Sequence, residues 1–342
     1  MNMATAIVFP AVNQVELRRT PVPVPGEWDL TVELEASAIS SGTERWALLG
    51  KRPPGDVTFP CIPGYLSVGK IVAAGNKATG QYHVGERINF FTARIPDGYG
   101  GNWMCGHLSP AIVNVDPAQL GTFEGMPYVV KVPDGLAAEM AIFAGLAAVA
   151  CRGIDMVRIQ AGQNVLVFGQ GMIGHSAAQI CRHLGARVLT VDTLPARVDW
   201  SRRLAADVAI NGLVDNVSEA VKEFTQGRGA DVVIDTTGSD AMINKEVPLL
   251  KRFGQLVFQG WYPPPSSLDL HQFQGSFVQS YFPCGHSSEA VGRCMNWMDA
   301  GALKVAPLIT HRFRPAQAAE AYRLIVDRPG ETMGIVFDWS QS

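Results

Sequence analysis

The sequence predicts an α/β protein in two parts, a β-rich unit assembled from both ends of the chain and a doubly wound parallel sheet inserted between them. Three observations carry this. Up to about residue 135 the chain alternates short apolar strands with Pro/Gly-rich loops. From about residue 162 it changes to strand–helix alternation, the pattern of a parallel sheet. The tail LKVAPLITHRFRPAQAAEAYRLIVD then reads as strand, Pro315 at a helix start and helix, followed by a last strand at 333–337. The expected domains are 1–148 with 286–342, and 149–285.

Taken in order, residues 4–9 and 15–19 read as short strands, and Leu30, Val32, Leu34, Ala36 and Ala38 alternate on one face of a half-buried strand over 30–39. That strand runs into Ser40-Ser41-Gly42-Thr43-Glu44-Arg45-Trp46, then a Pro/Gly-rich loop to Pro60, and CIPGYLSVGKIVAAG (61–75) is a loop feeding a strand. VGERI (84–88) turns into another strand, and 92–110 is a Gly-rich loop holding Tyr99, Trp103, Cys105 and His107. Residues 136–156 are Ala-rich and apolar all round, which predicts a buried helix. Strands follow at 165–168, 187–191, 208–210, 231–235, 255–259 and near 277–281, with an amphipathic helix over 286–301.

One stretch of the middle region carries chemistry. The apolar strand 165–168 runs directly into Gly169-Gln170-Gly171-Met172-Ile173-Gly174, then a helix stopped by Gly185, then a second strand ending in Asp192. Gly169 allows the sharp turn, Gly171 leaves room for a pyrophosphate against the backbone, and Gly174 lets helix and sheet pack closely. The helix start offers free N–H groups to the phosphates. Asp192 stands where a carboxylate accepts from an adenosine ribose diol. That predicts a dinucleotide site, and a carboxylate there repels a 2′-phosphate, so NAD is expected over NADP, with Arg197 as the residue that could instead greet such a phosphate. A sheet using glycine only for packing is the alternative. Thr237 and the Gln259-Gly260-Trp261 segment end two further strands, where the nicotinamide carboxamide is expected to rest.

Composition narrows the classes. With 342 residues the chain suits two domains, and a net charge of −3 shows no nucleic-acid footprint. No apolar stretch reads as membrane-spanning. MNMATAIVFPAV lacks a basic n-region and long apolar h-region, and so reads as a first strand rather than a signal peptide. Six scattered cysteines without a CxxC pair point to a reducing compartment, so a cytoplasmic location is expected, and they argue against a structural zinc cluster.

Together with the glycine motif, VGERI (84–88), GADVVIDTTG (229–238), GQLVFQG (254–260) and PLITHRF (307–313) resemble the medium-chain dehydrogenase/reductase family. The resemblance covers essentially the whole chain. It implies a GroES-like catalytic domain from both chain ends, a Rossmann domain between, an active site in the cleft and a homodimer whose exposed sheet edges, here near 277–282, pair. Many members hold a catalytic zinc through a Cys in a CGTD-like motif and a His in a GHE-like motif. Here Ser41-Gly42-Thr43-Glu44 and Gly64-Tyr65-Leu66 stand in those places, no third ligand lies near Ala144-Gly145, and only Cys105 remains of a structural cluster. The chain is therefore expected to bind no metal, because an open catalytic zinc site takes three protein ligands. ISSGTERWALLGKRPP, FPCIPGYLSVG and QGWY resemble a zinc-less branch, the dehydrogenases of the bacteriochlorophyllide hydroxyethyl group, which oxidise a secondary alcohol with NAD.

Without zinc, a hydroxyl or acid–base group must move the alcohol proton. By the resemblance, Thr43 matches the hydroxyl that relays the proton, Tyr65 points where the metal would sit, and Glu44 replaces a carboxylate behind the ligands. For Tyr65 the alternative is a packing aromatic with a satisfied hydroxyl. Trp46, Tyr99, Trp103, Tyr262 and His286 are candidate substrate contacts, with Trp261 and His107 near the same region; loop aromatics also serve simple packing. The expected reaction is interconversion of a secondary alcohol and a ketone on a sizeable or cyclic, including polyol, small-molecule substrate. An NADPH-dependent quinone or enone reductase and a non-catalytic nucleotide-binding relative are the alternatives.

Overall fold

The computed structural model describes residues 3–100, 104–122 and 126–340. They fall into two compact units, Met1–Gly145 with Ser287–Ala300 and Val305–Ser342, and Leu146–His286 with Gly301–Lys304.

The first unit opens with strands β1 (Met3–Val8), β2 (Glu16–Pro21) and β3 (Asp29–Ala38), helix α1 (Ser41–Leu48), then β4 (Ser67–Ala74), β5 (Arg87–Phe90), β6 (Leu108–Ser109), β7 (Ala111–Asn114) and β8 (Val129–Lys131). Helix α2 (Ala138–Ala141) follows, and α3 (Ala144–Val157) carries the chain into the second unit from Leu146. The sequence predicts one buried helix over 136–156; the chain breaks it at Ile142 and Phe143. Ala138–Val157 is also long and apolar enough, by length and composition, to cross a membrane, which corrects the expectation that no stretch is; 72% of its apolar window is buried inside the protein, as in a core helix.

The second unit contains β9 (Asn164–Phe168), α4 (Met172–His183), β10 (Arg187–Asp192), α5 (Pro195–Leu204), β11 (Val208–Asn211), α6 (Val217–Phe224), β12 (Ala230–Asp235), α7 (Asp240–Glu246), β13 (Leu250–Phe258), α8 (Leu270–Ser276) and β14 (Gln279–Tyr281). Its sheet runs β11-β10-β9-β12-β13-β14, and every neighbouring pair is parallel. β9 is buried along its whole length, as a strand covered on both faces must be. The β14 end of the sheet is a short edge, in keeping with the edge predicted near 277–282. Asn216, Ser239 and Ser287 cap helix starts through their side chains, each accepting a backbone N–H two or three residues into the first turn.

The chain then supplies α9 (Ser288–Asp299), β15 (Ile309–Phe313), α10 (Ala318–Asp327) and β16 (Gly334–Asp338) to the first unit. There β16 sits between β15 and β3 in a seven-stranded sheet ordered β15-β16-β3-β4-β5-β8, with β7 also on β3, while β2-β1-β6 form a second sheet. One apolar core joins them, including Phe9, Leu30, Ile71, Phe90, Tyr322 and Phe337.

His175 on α4 and His286 are buried in the second unit, and burial pushes both imidazoles down from 6.5 to about 4. The folded state then refuses protons that the unfolded chain accepts below about pH 6.5. The stability this preserves is complete above that pH and is lost as pH falls toward 4. Urea unfolding midpoints should drop between about pH 7 and pH 5, and the drop should shrink in a His175→Gln, His286→Gln double variant; an unaltered pH slope in that variant contradicts the assignment.

Candidate active and nucleotide-binding sites

The glycine loop joins β9 to α4. Gly169 adopts φ +79, a left-handed conformation, and a Cβ on it would meet Thr236 Oγ1 at 2.7 Å. A Cβ on Gly174 would lie 1.9 Å from the Gly169 carbonyl oxygen, so turn and helix approach too closely for any side chain. A Cβ on Gly171 would meet nothing within 4 Å, which leaves open space over the backbone at the α4 start. Met172 is buried and Ile173 half-buried in the same turn.

Asp192 ends β10 beside this loop. It accepts from Gln170 N at 2.6 Å and Leu194 N at 2.9 Å, and Arg197 stands 3.8 Å away. A carboxylate has about four acceptor sites, so capacity for a diol remains after these two backbone bonds. Sequence reasoning passed over Gln170. Its side chain turns inward, donating to Val167 O and Gly169 O and accepting from Ser201 on α5, and so braces the loop.

Thr237 and the 259–261 segment lie together at the carboxyl ends of β12 and β13. Gly260 packs so close to Gly238 that an added Cβ would sit 2.5 Å from the Gly238 nitrogen. Gln259 is buried, and its Oε1 has no hydrogen-bond partner among the described residues. An open space at Gly171, spare acceptors on Asp192 and an orphaned carboxamide oxygen at Gln259 together fit a dinucleotide.

In the first unit, Tyr65 is buried, and its hydroxyl lies 2.5 Å from Ser40 Oγ and 3.4 Å from Thr43 Oγ1. Burial pushes the phenol up, partly offset by the Ser40 and Thr43 hydrogen bonds. Its ring leans on Phe91 at 5.6 Å. Thr43 sits on α1, which begins at Ser41. Trp46 is one turn further on and half-buried.

Glu44, expected behind the ligand positions, lies in the interior of the first unit. It is fully buried, with Oε1 accepting from Ser40 N at 2.8 Å and Oε2 from His107 Nε2 at 3.1 Å and the Tyr322 hydroxyl at 2.5 Å. His107 Nδ1 meets Ser37 Oγ at 2.7 Å, and Ser37 Oγ also accepts from Trp339 Nε1 at 2.8 Å. His107 is therefore an interior residue rather than a loop residue facing substrate. It fits beneath Gly64, which has φ +92 and where a Cβ would lie 2.6 Å from the imidazole. Glu44 thus holds Ser40, and Ser40 holds the Tyr65 hydroxyl.

The candidate substrate residues scatter. Tyr99 packs against the first unit's core. Trp103 lies outside the described residues. Trp261 is exposed, and His286 is a buried neutral imidazole. The Tyr262 hydroxyl donates to Asp235 at 2.9 Å, which commits it to the protein. Among the described residues no group of three His, Cys, Asp or Glu could hold a metal ion. Cys105 is fully buried with its sulfur toward Arg94 O.

Residues 173–291 match the zinc-binding dehydrogenase family. L-threonine 3-dehydrogenase of Pectobacterium carotovorum subsp. carotovorum is 27% identical over 94% of this chain and 95% of its own length. A candidate zinc-binding dehydrogenase from Sinorhizobium meliloti 1021, solved bound to NADP, superposes with a TM-score of 0.83 at 20% identity over 99% of this chain and 100% of that one. A short chain alcohol dehydrogenase from Escherichia coli CFT073, solved with NADH, superposes with a TM-score of 0.82 at 19% identity over 98% and 99%.

Proposed function

Because this chain belongs to the medium-chain dehydrogenase/reductase family, we propose that it interconverts a secondary alcohol and a ketone on a sizeable or cyclic substrate, polyols included, using NAD(H) and no zinc. An oxidoreductase acting on alcohol groups agrees with the threonine dehydrogenase relatives. The observation that carries the finer reading is the Tyr65 hydroxyl, set in the place of a ligand histidine between Ser40 Oγ and Thr43 Oγ1. Serine and tyrosine hydroxyls are poor zinc ligands at neutral pH, where thiolate, imidazole or carboxylate is needed. Burial raises the Tyr65 phenol further from ionising. The family match is to zinc-binding dehydrogenases, and the residues at the ligand positions here do not fit that metal.

A bound nicotinamide supplies the hydride acceptor or donor. The chain supplies the proton path. Tyr65 bonds the substrate oxygen, and Ser40 and Thr43 bond Tyr65, so as Tyr65 takes the alcohol proton it hands its own to the half-exposed Thr43 hydroxyl, which releases one to solvent water, and a ketone is protonated by the reverse path. Stopped-flow absorbance at 340 nm with ketones, enones and quinones tests the reading: turnover confined to enones or quinones, or none at all, would overturn it. The scattered cysteines favour a reducing compartment, and we place the enzyme in the cytoplasm.

For the cofactor, Asp192 supports NAD(H), and the nearby Arg197 leans toward Asp192 rather than standing free for a phosphate. A 2′-phosphate and this Arg197 are the grounds for NADPH as second reading, given the NADP-bound neighbour. NADH should bind more tightly than NADPH by fluorescence titration. Asp192→Asn keeps an acceptor for the backbone yet removes the repelling charge, and should narrow the gap by roughly tenfold to a hundredfold. Tighter NADPH binding by the unaltered protein refutes the NAD assignment.

We also propose a homodimer through the edge strand β14. It ends the six-stranded sheet with backbone groups open on one side. Phe253, Phe277 and Phe282 are exposed along this region, with the Arg252 guanidinium over Phe253 at 5.5 Å and Phe277 at 4.5 Å. Light scattering at micromolar concentration should give twice the 36.8 kDa chain mass, and a lone 36.8 kDa species contradicts it.

A further inference from the structure

Asp235 ends β12 and is fully buried. Its carboxylate accepts from Thr237 N at 2.8 Å, Thr237 Oγ1 at 2.7 Å, Gly238 N at 3.2 Å and the Tyr262 hydroxyl at 2.9 Å. Oδ1 takes Thr237 N, Gly238 N and the Tyr262 hydroxyl, and Oδ2 takes Thr237 Oγ1, so this buried carboxylate is committed chiefly to the protein's own loops. They also come from two loops. Thr237 and Gly238 leave β12, whereas Tyr262 follows β13.

The backbone repeats the connection. Gln259 N and Gly260 N both donate to the Asp235 carbonyl at 2.9 Å. A Cβ on Gly238 would meet Trp261 O at 2.4 Å, so the two loops run in backbone contact. Glu246, in the last turn of α7, is fully buried beside them. Burial, then the Asp235 charge beside it, push its carboxyl well above the usual range. In a parallel sheet the carboxyl ends of the strands are where ligands bind.

We propose that Asp235 and Tyr262 are positioning residues: they clasp the 237–238 and 259–261 loops in the geometry that receives the nicotinamide half of the cofactor, and neither touches cofactor or substrate. The proposal rests on the reading of those loops as the nicotinamide end of a dinucleotide site. It removes Tyr262 from the substrate contacts expected from sequence.

Tyr262→Phe deletes only the hydroxyl and keeps the ring, which packs edge-on to Phe258 at 5.6 Å. Asp235→Asn keeps the shape and swaps one acceptor for a donor. NADH, followed by the enhancement of its own emission on binding, reports the nicotinamide end. 5′-AMP, followed by calorimetry, reports the Gly169–Asp192 end alone. Both variants should bind NADH about tenfold more weakly, with less emission enhancement, while 5′-AMP affinity stays within about twofold. Should Asp235→Asn fail to fold, Tyr262→Phe carries the test. Unaltered NADH binding, or parallel loss of NADH and 5′-AMP by a folded variant, overturns the clasp. An unaltered protein that binds neither NADH nor NADPH overturns instead the dinucleotide reading beneath it.

Discussion

A Tyr65→Phe enzyme should turn over about 10²–10⁴-fold more slowly than the unaltered protein, the range that positioned acid–base groups contribute. Its NADH affinity and unfolding midpoint should hold, because only one oxygen is removed and the ring keeps its contact with Phe91. The expectation follows from the hydrogen-bond order around that oxygen. A buried phenol that resists ionisation is a donor. It can therefore stabilise charge building on a substrate oxygen while accepting from the Ser40 hydroxyl 2.5 Å away. Thr43, at 3.4 Å, is a weaker partner, so Thr43→Val should cost less than Ser40→Ala. Single-turnover kinetics isolates this step from product release. Wild-type turnover by Tyr65→Phe removes the phenol from the mechanism, and stoichiometric zinc with activity lost to a chelator restores the metal to it.

Glu44→Ala should destabilise the protein by about 3–5 kcal/mol, because it leaves three buried donors without an acceptor and each costs about 1–3 kcal/mol. Three donors lose their acceptor at once: Ser40 N, His107 Nε2 and the Tyr322 hydroxyl. Their proton assignments interlock. A carboxylate can only accept, so His107 carries its proton on Nε2 toward Glu44 and accepts at Nδ1 from the Ser37 hydroxyl, whose oxygen also takes the Trp339 N–H. Glu44→Gln keeps the shape but faces these donors with an N–H₂ on one side, and should fall between the alanine variant and the unaltered protein. Urea unfolding checks both. A loss under about 1 kcal/mol for Glu44→Ala would falsify the account of this carboxylate as the keystone of the first unit, since a single ordinary hydrogen bond is worth that much.

The nucleotide loop was legible because its parts are consecutive: strand, glycines, helix, strand and acid follow one another within a single αβ turn of chain. The partners of Glu44 were not legible, for the opposite reason. His107 and Tyr322 stand 63 and 278 residues away in sequence, and no local pattern marks them. α1 escaped notice because SGTERWAL carries Gly42 and a polar start with no clear apolar stripe. His107 read as a loop residue near substrate; the room that admits it to the interior is the missing side chain of Gly64, visible only in three dimensions. Tyr262 shows the same limit, since an aromatic after a strand looks alike whether its hydroxyl meets a substrate or an aspartate. The signals that could have helped were the acidic end of β12 and the buried-strand character of 230–235, where a carboxylate must find donors.

The place of β16 also sets an order of manufacture. A ribosome releases the chain from its N-terminus, and domains fold largely as they emerge. The parallel-sheet unit draws nearly all its strands from 164–281 and can close while synthesis continues. The first unit cannot. The carboxyl end of β3 pairs with β16 at Ala36, Ser37 and Ala38, and Glu44 waits for Tyr322 and Ser37 for Trp339. A nascent chain paused before Ile309 leaves the carboxyl end of β3 open along one edge, with β4 on the other, and a carboxylate lacking its tyrosine, while its neighbour is already formed. Tyr65 is thus made early and set in place late, and slowed translation of 309–339 should lengthen the exposure of that open strand to chaperones more than it delays the nucleotide fold.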